Sequence, residues 1–135
     1  MFLKLKSSFD FSFISKYGKV FKVFDDQDSG NICFGTEKGE NRYFIKFAGA
    51  PTARGGVNAA EAIDNLKKTV PTYLDLAHSV LIKLISHEEI GDGYGVAFEW
   101  VNAECMGRMY PLSRQKFMQM SIQTKLQVYH DILSF

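Results

Sequence analysis

A single lysine, Lys46, sits in the run Tyr43-Phe44-Ile45-Lys46-Phe47, among residues that favour β-strand. On a strand, alternate side chains share a face, so Phe44, Lys46 and Ala48 point one way and Tyr43, Ile45 and Phe47 the other. The ammonium therefore stands among apolar neighbours, where an unpaired charge is costly. Two readings follow: an anionic ligand satisfies the ammonium, or the lysine snorkels out from a strand edge. Other chemistry-bearing residues are less informative. His78, His87 and His130 fall in separate segments, and the run Ser86-His87-Glu88-Glu89 needs distant help to hold a metal, so a solvated turn is expected there. Cys33 and Cys105 lie far apart without metal-ligand spacing and read as a reduced cytosolic pair. Arg54 alone makes no basic patch. Met106, Met109, Met118 and Met120 read as packing residues.

The whole chain limits what this lysine can serve. At 135 residues it is one domain by size, with room for a real core. Hydrophobic content of 46% with twelve phenylalanines argues against disorder. A net charge of +1 gives no reason to expect nucleic acid or an anionic membrane as partner. The first thirteen residues carry charges inside their apolar run and lack a small-residue cleavage site, so they make a poor signal peptide. Nothing later is long enough to span a bilayer. A cytoplasmic protein is the expectation.

Strands over 18–24, 32–36 and 42–48 form an antiparallel meander, with turns at 25–31 and 37–41. From Val57 the period changes. Ile63, Leu66, Val70, Tyr73 and Leu74 form one helical stripe, which Pro71 is expected to kink or divide. Residues 79–90 and 95–101 return to strand. Ser113 and Ser121 are candidate N-caps for two further helices, the last with Ile122, Leu126, Tyr129 and Leu133 on one stripe. The expected class is α+β: a five-stranded antiparallel sheet, one long helix after strand three, and C-terminal helices.

This pattern resembles the N-terminal, nucleotide-binding lobe of the protein-kinase-like phosphotransferases, the superfamily of protein kinases, aminoglycoside phosphotransferases and choline kinases. The resemblance covers about residues 14–135 and rests on three stretches. Tyr43-Phe44-Ile45-Lys46-Phe47 is similar to the third-strand lysine motif, whose lysine pairs the α- and β-phosphates of ATP. Residues 78–84 are similar to the passage from the helix into strand four. Residues 96–106 look like strand five running into the hinge. The resemblance places Phe98 at the gatekeeper position, the Glu99 carbonyl and Val101 N–H against adenine, and Glu104 near the ribose.

Departures from the family pattern matter as much. No G-x-G-x-x-G lies between the first two strands, only Gly18 and the turn 25–31. Ser29, Gly30 and Asn31 can still offer backbone N–H groups to a phosphate, although Asp25, Asp26 and Asp28 beside them repel one unless a metal intervenes. A plain hairpin turn is the alternative. Ungapped counting puts Thr69, not Glu, at the lysine-pairing position. Glu61 on the same stripe is the first choice for that role, with Asp64 and Asp75 open, and a solvated carboxylate is the bland reading for each. Phe44 replaces the small roof residue over adenine and either stacks on the base or obstructs it. No H-x-D-x-x-x-x-N and no D-F-G-like stretch occurs, so the acceptor-side base and Mg²⁺ ligands are missing.

The resemblance thus implies residues 1–106 as an N-lobe with hinge and 107–135 as helices beginning a truncated second lobe. It implies an ATP-binding lobe, inactive by itself, with Mg²⁺ required only alongside the missing lobe. A non-catalytic module that keeps the lobe fold and binds a protein partner is the alternative. The wide stripe of the last helix leads to a further expectation, a homodimer through the C-terminal helices.

Overall fold

A computed structural model describes residues 5–25, 29–52, 57–76, 81–103 and 111–134. The chain divides into two compact units, Met1–Trp100 and Val101–Phe135.

The first unit is α+β. After a short 3-10 helix over Ser12–Tyr17 come β1 (Lys19–Phe24), β2 (Ile32–Lys38), β3 (Asn41–Ala48), α1 (Ala59–Asp75), β4 (Leu84–Ile90) and β5 (Gly93–Glu99). The sheet is antiparallel throughout, in the order β1-β2-β3-β5-β4. β3, the strand of Lys46, is therefore central. β2 runs on to Lys38, which tightens the expected turn over 37–41 to Gly39 and Glu40. β4 begins at Leu84, later than the sequence suggests, and β5 runs from Gly93 and stops at Glu99.

Alternation along β2 and β3 divides the apolar residues between two cores. On one face Ile32, Phe34, Ile45, Phe47 and Ala97 are buried with Ile14. Phe9, Phe11 and Phe13 pack on them, with Phe13 4.7 Å and Phe9 5.5 Å from the Phe47 ring. The other face buries Ala48, Tyr94, Val96 and Phe98 beneath Ala62, Leu66 and Val70 of α1. β5 is covered on both sides, which explains why its sequence reads as nearly continuous hydrophobic residues.

Asn58 opens α1 by accepting the Glu61 N–H on its Oδ1 at 2.9 Å, an N-cap. The helix runs through Pro71 as one element, with Pro71 on its exposed side. Leu74, read as part of the stripe, is exposed, and Ala62 takes its place in the core.

The second unit holds α2 (Pro111–Gln119) and α3 (Ile122–Leu133). Ser113 lies inside α2 and does not cap it; Pro111, with φ fixed for a first helical turn, begins the helix. Ser121 does cap α3, its Oγ accepting the Thr124 N–H at 3.1 Å. Phe117 and Tyr129 meet edge-on at 6.2 Å. Ile122, Leu126, Tyr129, Ile132 and Leu133 are all exposed. Among the described residues no helix is long and apolar enough to cross a membrane.

Candidate functional site

The strand register fixes the surroundings of Lys46. It lies opposite Cys33 on β2 and Val96 on β5, while Phe44 lies opposite Gly35 and Phe98. Lys46 is thus on the face that α1 covers, on the central strand and not at a sheet edge. The side chain is half-buried, with Nζ 6.0 Å from the ring centroid of the fully buried Phe98. Among the described residues it makes no ion pair and no hydrogen bond. Among the described residues, the contact its ammonium makes is therefore with the Phe98 ring.

The carboxylate expected to hold it is not in place. Glu61 is exposed in the first turn of α1 and forms no pair with Lys46. Asp64 pairs with Lys68 at 2.5 Å, and Asp75 is exposed at the helix end. Thr69 is exposed and donates its hydroxyl to the Leu66 carbonyl at 2.7 Å. The helix presents alanine, leucine and valine to the sheet because burial selects that stripe, which leaves its carboxylates on the solvent side.

The turn before β2 contributes polar groups close to the first turn of α1. Ser29 is exposed, whereas Gly30 is buried, and a Cβ built there would lie 3.3 Å from the Cβ of Ala62. Asn31 precedes β2 on the alternation that sets Cys33 beside Lys46, and its Oδ1 is buried without a hydrogen-bond partner among the described residues. Asp26 and Asp28 lie outside the described residues, as does Glu104.

Burial pushes the Cys33 thiol up to about 12, against the downward pull of the Lys46 charge. Cys33 is accordingly a packed thiol and not a nucleophile. Iodoacetamide at pH 8, followed by peptide mapping, is expected to leave Cys33 unmodified in the native chain and to label it fully in denaturant. Labelling at equal rates in both would show that the Cys33 side of the Lys46 face is open.

On the same face, Phe44 faces Phe24 at 5.7 Å and Trp100 at 6.2 Å. Trp100 in turn meets Phe21 at 4.9 Å. The backbone N–H of Trp100 donates to the Arg42 carbonyl at 3.0 Å, and that of Glu99 to the Lys83 carbonyl at 2.9 Å. Glu99 is exposed; Val101, also exposed, begins the second unit. Trp100 falls within the expected strand 95–101, and local sequence does not single out Phe21, Phe24 or Gly35. Alternation two residues beyond Phe98 was the available signal for Trp100.

Lys46, Phe44, Phe98 and Asn31 are brought to one face, whereas Glu61 is not brought to Lys46. Among the described residues no three histidine, cysteine or acidic side chains are grouped to hold a metal. No protein-family model, no curated protein and no solved structure matches the chain.

Proposed function

We propose that this chain is the ATP-binding lobe of a kinase-like phosphotransferase, acting on a hydroxyl of a protein or a small molecule. The observation that carries the reading is the half-buried Lys46 ammonium, central in the sheet and unpaired among the described residues. A polyphosphate satisfies that charge. Element order supports the same reading: three strands, a helix packed over the lysine face, then two strands ending beside Phe98. In this assignment Lys46 pairs phosphate oxygens, the backbone N–H groups of Ser29, Gly30 and Asn31 line the phosphate path, and the base lies by Phe44 near the Glu99 carbonyl. Mg²⁺ would neutralise phosphate charge, but the residues that bind it in such enzymes have no counterpart motif in these 135 residues. The chain is therefore assigned binding and not transfer, in the cytoplasm.

A second reading, a lobe-shaped module that binds a protein partner and not ATP, is favoured by the aromatic packing around Phe44 and by the lack, among the described residues, of a carboxylate paired with Lys46. Titration of a non-hydrolysable ATP analogue against the wild type and Lys46→Ala separates the two. The nucleotide reading expects binding by the wild type that the substitution weakens at least about tenfold, the loss of one charge-assisted contact. Binding by neither chain would leave the module reading in its place.

We assign the exposed stripe of α3 to self-association, as a homodimer through the C-terminal helices. Each large apolar side chain left in water forgoes about 1.5–3 kcal/mol of burial energy, and Ile122, Leu126, Tyr129 and Leu133 are all more than half exposed. Light scattering is expected to give twice the chain mass for the wild type and the single-chain mass for a Leu126→Asp, Leu133→Asp double variant. A wild type that stays monomeric at high concentration would sink this assignment.

A further inference from the structure

Trp100, the single tryptophan of the chain, has an unusual seat. Gly35 stands opposite Phe44 in the sheet, and a Cβ built on Gly35 would lie 2.9 Å from Cζ3 of Trp100 and 2.8 Å from Cζ of Phe21. The indole therefore rests on the β2 backbone at a position where no side chain intervenes. From there it stands 6.2 Å from Phe44, with Phe24 at 5.7 Å from the same ring. Aromatic rings that stack or meet edge-on do so at centroid separations of about 4.5–7 Å. The surroundings in which Phe44 could receive a nucleobase are thus already occupied by Trp100 and Phe24. An indole is a flat bicycle, as a purine is.

We propose that Trp100 is a displaceable plug of the base subsite: it holds the place of a purine beside Phe44 in the free chain and leaves Gly35 when nucleotide binds. The inference rests on the nucleotide reading of Lys46. Its position suits such a role. Trp100 follows the last residue of β5, so its side chain can move without breaking the strand register. It is half-buried, whereas Phe98, two residues earlier, is fully buried and fixed against Tyr73 at 4.8 Å. Gly35 gives the indole its seat, and any larger residue there would push it off.

A plug lowers the apparent affinity for nucleotide by the fraction of chains that are open. Removing it should therefore strengthen binding, the reverse of what removing a stacking partner would do. In the full chain, Trp100 emission is expected to shift to longer wavelength on addition of a non-hydrolysable ATP analogue. Inorganic tripolyphosphate, which offers phosphate without a base, is expected to bind without that shift. Calorimetry is expected to show Trp100→Ala binding the analogue about 3- to 10-fold more tightly than the wild type, with Trp100→Phe in between. Analogue bound with unchanged emission, or with equal or weaker affinity in both variants, overturns the plug and leaves the nucleotide reading standing. No analogue bound by the wild type or by either folded variant overturns both.

Discussion

Phe47→Ala is expected to lower the unfolding free energy by about 3–5 kcal/mol, a large part of the about 5–15 kcal/mol that holds a domain together. Phe47 is fully buried near the end of β3, one residue from Lys46 and on the opposite face. Phe13, Phe9 and Phe11 surround its ring at 4.7, 5.5 and 6.1 Å. Removing it opens a cavity between the sheet and the amino-terminal segment, which Ile14 and the Phe11–Phe34 contact at 5.2 Å still hold to the sheet. Urea unfolding followed by circular dichroism measures the change. A loss below about 1 kcal/mol would mean that the segment does not cover this face of the sheet.

Gly18→Ala is expected to be nearly as damaging, at about 3 kcal/mol or more, for a different reason. Gly18 joins the 3-10 helix to β1 with φ at +97°, a conformation that L side chains rarely adopt. A Cβ there would run into the Glu37 carbonyl, whose carbon would lie 2.6 Å away, and backbone cannot turn aside as a flexible side chain can. Gly39→Ala serves as the comparison. Gly39 also has positive φ, at +62°, but a Cβ there meets nothing within 4 Å, so only backbone strain of about 1 kcal/mol remains. The same unfolding experiment should rank Gly18→Ala well below Gly39→Ala. Equal losses would contradict the close approach of Gly18 to β2.

The sheet was legible because its strands are written in the simplest code, alternation on β3 and tight glycine-bearing turns between strands. α1 was legible from Leu66 and Val70, and α3 from Ser121 and the stripe behind it. The role of Phe9, Phe11 and Phe13 was not legible. Their alternating spacing suits a strand, yet they act as a cover, and only the sheet they pack on gives the spacing its meaning. Pro71 does not divide α1, because a helix already held by Leu66 and Val70 against the sheet tolerates one missing N–H on its exposed side. The site was legible in part. Lys46 was visible as a charge out of place, and Phe98 followed from its strand. The relation of Lys46 to α1 was not visible, because counting along a stripe says which residues share a face but not which turn lies over the lysine. Trp100 and Gly35 escaped for a related reason. Their contact joins the end of β5 to the middle of β2, and strand order, not local sequence, brings those together.

Calorimetry with two ligands tests most directly whether Lys46 faces the phosphates of a nucleotide. A non-hydrolysable ATP analogue and adenosine are each titrated into the wild type and Lys46→Ala. In the proposed assignment Lys46 meets phosphate and not the base. The expected result is one analogue bound per wild-type chain, at least about tenfold weaker analogue binding by Lys46→Ala, and no change for adenosine. Equal affinity of the two chains for the analogue, or an equal loss for adenosine and analogue, would contradict it.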